Sequence, residues 1–223
     1  MKSLSNLFTN KNLFDLALTH RSWVNEHKGK RTSNERLEFL GDAVLEFIVS
    51  RELYKTFPDK EEGYLTALRS NLVNTNFLAE IAENLNLGDM IYLSKGEEET
   101  GGRTNLSLLA DTVEAIIGAL FIDQGLSASE EFINKNLLID LEKRAKLPLK
   151  DAKSLLQEYV QSRSLPTPKY KVIKEEGPDH NKKFKIEVIV NEKSWGTGLG
   201  KSKAIAEQEA AKSTLDMIQS AHG

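Results

Sequence analysis

Cysteine is absent from the 223-residue chain. That excludes disulfide frameworks, thiolate zinc sites and thiol nucleophiles, and it fits a reducing compartment. No apolar run approaches the ~18 residues of a membrane span, and Met1 to Asn10 carries no apolar signal-peptide core. A cytoplasmic protein with no membrane partner is expected. Internal repeats and low-complexity tracts are also missing. The remainder, 39% apolar and 28% charged, is ordinary globular composition, long enough for one large domain or two modest ones. An excess of positive charge is lacking as well. Thirty Lys+Arg stand against 33 Asp+Glu, giving −3 and a pI near 5.9, a balance that on its own argues against a nucleic-acid partner.

The average conceals a segregation. Residues 1–147 hold 17 basic and 23 acidic residues, a net charge of −6, whereas residues 148–223 hold 13 basic and 10 acidic, a net charge of +3. An acidic piece is followed by a basic one, and the two differ in pattern too.

The acidic piece reads as helix after helix. Helical spacing runs through Leu13 to Leu18, Asn34 to Phe57, Leu65 to Asn84, Leu106 to Ile122 and Ser129 to Lys146. Pro58 ends the second stretch, Asn86 and Gly88-Asp89 follow the third, and Asp123-Gln124-Gly125 ends the fourth. Thr32 and Glu35 have capping-box spacing, with Asn34 as the alternative cap. An all-α domain over 1–146 is expected, with a linker at 147–150 inside an Arg144–Asp151 connection that could act as a hinge.

Beyond it, Ala152 to Arg163 is helical until Pro166 and Pro168. Three short alternating runs follow, at Tyr170, Phe184 and Ser194, separated by Gly177-Pro178 and Asn191-Glu192. Ser202 to Ile218 closes as a helix with Ala204, Ala206, Ala210, Ala211 and Leu215 as a small-residue packing face. The expectation is a small α+β domain over 151–220 in the order α-β-β-β-α.

The acidic residues of the first domain are not scattered. Glu35, Glu38, Asp42 and Glu46 follow i, i+3, i+7 and i+11 along one predicted helix, and Asp111 and Glu114 are i, i+3 neighbours on the most apolar one. Burying unpaired carboxylates is costly or forces them to take up protons. Glu38, Asp42, Asp111 and Glu114 therefore call for a compensating cation. Oxygen ligands without Cys or His favour Mg²⁺, with Mn²⁺ as a substitute, over zinc. The competing reading turns each carboxylate to solvent or pairs it with Arg36, Arg69 or Arg103.

The segment Glu35-Arg-Leu-Glu-Phe-Leu-Gly-Asp-Ala43 resembles the signature of the ribonuclease III family residue for residue. Ala17-Leu-Thr-His-Arg-Ser22, Leu68-Arg-Ser-Asn-Leu-Val73 and Leu109-Ala-Asp-Thr-Val-Glu-Ala-Ile-Ile-Gly-Ala119 extend the likeness. It implies that Glu38, Asp42, Asp111 and Glu114 are metal-site carboxylates, with Asp42 and Glu114 catalytic and Glu35 and Glu62 as auxiliary acidic positions. It implies an endonuclease on double-stranded RNA that acts by metal-assisted water attack. Products with 5′-phosphate and 3′-hydroxyl ends and short 3′ overhangs follow, from ribosomal RNA precursors and structured messages. The family dimerises through the signature helix, where Phe39 and Leu40 would contribute either to that interface or to ordinary core. No organic cofactor is expected.

The basic domain resembles a double-stranded RNA-binding domain, in Ser154-Leu-Leu-Gln-Glu158, Pro168-Lys-Tyr170, Gly177-Pro-Asp-His180 and Gly198-Leu-Gly-Lys-Ser-Lys203. Gln157, Glu158, His180, Lys201 and Lys203 are the RNA contacts this implies. Lysines at a helix N-terminus suit phosphate, and the whole reads A-form shape rather than sequence. Trp195 and Phe184 are read as core. Ala204 stands where relatives often carry a second lysine. Two other readings compete: a catalytically silent double-stranded RNA-binding regulator, which the intact carboxylate quartet opposes, and an all-α nucleotide phosphohydrolase, which leaves the basic domain without a purpose.

Overall fold

The computed structural model describes residues 4–147, 149–178 and 182–220. Its contacts divide the chain into two compact units, Met1–Leu149 and Lys150–Gly223. Among the described residues no helix is long and apolar enough to cross a membrane.

The first unit is helical throughout: α1 Lys11–Ala17, α2 Arg21–Glu26, α3 Glu35–Thr56, α4 Glu62–Leu72, α5 Thr75–Asn84, α6 Lys95–Glu99, α7 Leu106–Gln124, α8 Leu126–Asn136 and α9 Leu141–Arg144. Among its described residues the helices are supplemented by one isolated parallel bridge, between Thr19 and Tyr92. α7 is the axis. It is buried at Leu108, Leu109, Val113, Ile116, Ile117 and Leu120, because α1, α3, α5 and α8 all pack on it, which is why its sequence is apolar on nearly every side. Gly125 joins α7 directly to α8 at φ +79°, a backbone state that a side chain would strain.

Two long helical patterns of the sequence are each broken in two. Residues 65–84 divide between α4 and α5 because Asn74 is extended and its side chain caps the next helix by accepting from Phe77 N. The stretch 129–146 divides at Leu137–Asp140, between α8 and α9. The Thr32/Glu35 capping box does not form. Asn34 holds the cap position of α3, but its Nδ2 donates instead to Ala17 O at 3.1 Å, tying α3 to α1.

The second unit is α10 Ala152–Ser162, a three-stranded antiparallel sheet of β1 Lys169–Glu176, β2 Lys183–Val190 and β3 Lys193–Gly200 in that order, and α11 Lys203–Ser220. Its separate core joins Leu156 and Val160 of α10, Ile186, Val188 and Val190 of β2, and Ala206, Ala210 and Ala211 of α11. Phe184 and Trp195 pack at the edge of this core. α11 lies on β3 at backbone contact, since a Cβ on Gly198 would stand 2.1 Å from Ala210 N. The small-residue face serves that approach with one correction: Ala204 is exposed and Thr214 is buried, its hydroxyl donating to Ala210 O at 2.8 Å.

Candidate active site

The site begins with two glycines. A Cβ on Gly41 of α3 would lie 1.8 Å from Glu114 O, and one on Gly118 of α7 would lie 2.2 Å from Leu37 O. The helices therefore cross with their backbones in contact, and one turn from the crossing Glu38 meets Asp111 and Glu114. One carboxylate oxygen from each of these three lies within 4.8 Å of the others, and all three side chains are half-buried. Asp42 stands one turn further along α3, exposed and outside that trio, but close enough to be the main charge acting on Glu114.

The electrostatics follow from this crowding. Burial, and then the charges of Asp42, Asp111 and Glu38, push the Glu114 carboxyl up to about 8. Glu38 is raised by burial and by Asp111, Glu35 and Asp42. Asp111 is raised by burial, with His20 and its own backbone N–H acting against the rise. Among the described residues no lysine or arginine ion pair reaches the four carboxylates. Arg69 instead pairs with Glu46 at 3.3 Å and Arg103 with Glu98 at 2.7 Å, so the alternative of internal neutralisation is not realised and Glu46 leaves the acidic row. Glu38, Asp111 and Glu114, oxygen donors whose ionisation is disfavoured and which no described lysine or arginine pairs with, fit a hard divalent ion.

The auxiliary positions lie outside the trio. Glu35 is exposed at the start of α3, accepting from Ser33 Oγ at 2.6 Å and pairing with Arg21 at 3.5 Å. Glu62 opens α4, accepts from Thr66 Oγ1 at 2.8 Å, and lines a groove with Tyr54, Phe57 and Leu65 away from the trio. Of Phe39 and Leu40, only Leu40 packs on the core; Phe39 is 81% exposed.

In the second unit Gln157 and Glu158 are exposed on α10, with Glu158 paired to Lys150. Lys201 and Lys203 are exposed about the N-terminus of α11, where Ser202 Oγ accepts from Ile205 N at 3.2 Å. Lys203 also lies 3.6 Å from Glu175 and 5.6 Å over the Phe184 ring. His180 lies outside the described residues.

One residue without an assigned role in the sequence reading joins the site. His20 lies close enough to Asp111 for each to shift the other, and burial lowers its pKa. It stands in the Thr-His-Arg-Ser stretch that carried part of the family likeness, but nothing in its spacing ties it to residues 90 positions away.

Comparison with known proteins bears on both units. Residues 10–141 match the family model described as ribonuclease-III-like, and residues 152–218 match the double-stranded RNA binding motif. A ribonuclease 3 of Geobacillus sp. (strain WCH70) is 45% identical over 98% of this chain and 89% of its own. That of Oceanobacillus iheyensis is 47% identical over 95% of this chain and 93% of its own. A solved nuclease domain of ribonuclease III from Campylobacter jejuni, described for structural flexibility in a region involved in dimer formation, is 43% identical with a TM-score of 0.55. It covers 61% of this chain and 98% of its own. With a matching family model across most of its helical unit and relatives aligned over nearly its full length, the chain belongs to the ribonuclease III family.

Proposed function

We propose that the protein is a Mg²⁺-dependent endonuclease of double-stranded RNA, working as a homodimer in the cytoplasm. It would have a nuclease domain over 1–146, a linker at 147–150 and an RNA-binding domain over 151–220. The observation that carries this reading is the trio Glu38, Asp111 and Glu114, held together with no lysine or arginine ion pair among the described residues while Glu114 is driven to about 8. Those three and Asp42 would hold the metal, Mg²⁺ or Mn²⁺ in its place. When bound, the ion supplies Lewis-acid stabilisation of the phosphodiester and a more acidic water. As a ligand of that ion, Glu114 would be deprotonated. Asp42, exposed beside it, orients the attacking water with Glu114. Water adds to phosphorus, the P–O3′ bond breaks, and the 3′ oxygen takes a proton, leaving 5′-phosphate and 3′-hydroxyl ends.

Phe39, Phe47 and Tyr54 form an exposed row on α3, 81%, 54% and 74% accessible. Such a row on a soluble helix calls for cover, and a second copy placed there would set two sites across one duplex and produce short 3′ overhangs. Gln157, Glu158, Lys201 and Lys203, with His180 from the sequence likeness, would grip the A-form groove and its phosphates. Ribosomal RNA precursors and structured messages are the substrates that fit.

Duplex RNA incubated with the protein in Mg²⁺ is expected to be cut, and chelator is expected to stop it. A shift in mobility without any cleavage in Mg²⁺ or Mn²⁺ would favour the silent RNA-binding regulator instead.

A further inference from the structure

Beside the acidic trio lies a polar recess of about 430 Å³ lined by His20, Asn25, Glu97, Asn105, Ser107 and Asp111. His20 is fixed there from both sides. Its backbone N–H donates to Tyr92 O at 3.1 Å, next to the Thr19–Tyr92 bridge. Its ring Nδ1 accepts the Ser22 N–H at 3.3 Å and lies 2.8 Å from Ser22 Oγ. Because Nδ1 accepts the Ser22 N–H, the 2.8 Å contact is assigned with the Ser22 hydroxyl donating to Nδ1, while that hydroxyl oxygen accepts the Ser94 N–H at 3.0 Å. With Nδ1 accepting, the neutral ring carries its proton on Nε2, a donor left for the recess.

The charges around it select what the donor meets. Asp111 belongs to the metal trio, which leaves Glu97 as the carboxylate acceptor of the recess, and Arg21, also on the rim, is paired with Glu35 at 3.5 Å. A histidine donor beside a carboxylate acceptor suits a neutral hydroxyl that accepts from one neighbour and donates to the other. Asn105 uses its carbonyl oxygen to cap α7, accepting from Leu108 N at 3.1 Å, which leaves its amide hydrogens for the same sugar. The group with that chemistry, placed along a nucleic-acid strand next to the bond being cut, is the ribose 2′-hydroxyl.

We propose that this recess is a 2′-hydroxyl subsite in which His20 Nε2–H donates to a ribose of the cleaved strand and Glu97 accepts from it, making His20 a specificity-determining residue for RNA over DNA. The proposal rests on the duplex-RNA nuclease reading. A 2′-deoxy nucleotide would leave the donor and the carboxylate without their partner.

The test walks a single 2′-deoxy substitution across the nucleotides flanking the cleaved bond and measures single-turnover cleavage in Mg²⁺. Duplex affinity is measured in chelator. His20→Asn is the working variant, because asparagine can still cap α2 through Ser22 N–H but has no Nε2; His20→Ala is run beside it. In the wild type, one deoxy position is expected to slow cleavage about tenfold and weaken binding a few-fold. His20→Asn is expected to lose about the same factor on all-ribose RNA and to lose its sensitivity at that one position, in both rate and affinity. If the deoxy penalty persists unchanged in His20→Asn, or no position shows one, the subsite is overturned while the nuclease reading stands. If the wild type fails to cut all-ribose duplex, the nuclease reading fails and takes the proposal with it.

Discussion

Among the described residues Glu114 is the one whose carboxyl is displaced furthest from its ordinary value. In the metal-free protein its carboxyl titrates near 8 because it is half-buried among Asp42, Asp111 and Glu38. The folded state therefore holds a proton that the unfolded chain has released. The sign of the linkage follows: the group's contribution to stability is greatest below the ordinary glutamate value and is lost as pH rises through about 8. Between about pH 5 and about pH 8 the melting temperature of the metal-free protein is expected to fall, and Glu114→Gln should flatten that fall. Calorimetry of Mg²⁺ binding near pH 7, in buffers of different ionisation enthalpy, should show release of roughly one proton in the wild type and almost none in Glu114→Gln. Equal release from both proteins would remove Glu114 from the ligand set. Asp151 shows the opposite displacement. Gln208 and Ser154 hold its carboxyl down to about 2 while it caps α10, so its contribution is present above the usual aspartate value and lost as pH falls through about 2. Asp151→Ala is expected to cost the second unit about 1 kcal/mol at neutral pH, measured by denaturant unfolding.

At the scale of elements, what positions the carboxylates is the contact between α3 and α7. Gly41→Ala would drive a methyl group into the Glu114 carbonyl, 1.8 Å from where Cβ must go. A clash with backbone cannot be relieved by a rotamer change, and a loss of about 3 kcal/mol or more is expected. Thermal unfolding should show the helical unit destabilised while the α-β-β-β-α unit, which has its own core, melts as before. The element order and the acidic faces were legible in the sequence because they are written in local periodicity. The breaks at Asn74 and at Leu137–Asp140 were not, since an amphipathic pattern continues across a helix end when both helices bury the same side. Likewise the spacing of Glu38 to Asp42 and of Asp111 to Glu114 marks shared faces. Nothing in either spacing says that Asp42 stands outside the closest trio, or that His20 arrives beside Asp111 through a bridge between residues 19 and 92. Those are long-range facts.

For the whole molecule the net charge of −3 is the sum of two stretches of opposite net charge, −6 and +3. Part of the helical unit's acidity is the carboxylate cluster, which a divalent ion would offset, and the +3 of the following residues lies on the unit matching an RNA-binding motif. Assembly is the other whole-molecule property. Phe39, 81% exposed, belongs to the exposed aromatic row of α3, so Phe39→Glu is expected to shift sedimentation from dimer to monomer with the fold of each chain retained. An unchanged dimer would place the interface elsewhere. Glu114 is proposed to work in phosphodiester cleavage and not in holding RNA. Single-turnover cleavage of an end-labelled duplex in Mg²⁺, with affinity measured in parallel, tests it most directly. Glu114→Gln should abolish cleavage and leave affinity within about twofold of the wild type, whereas cleavage at near wild-type rate would contradict the site.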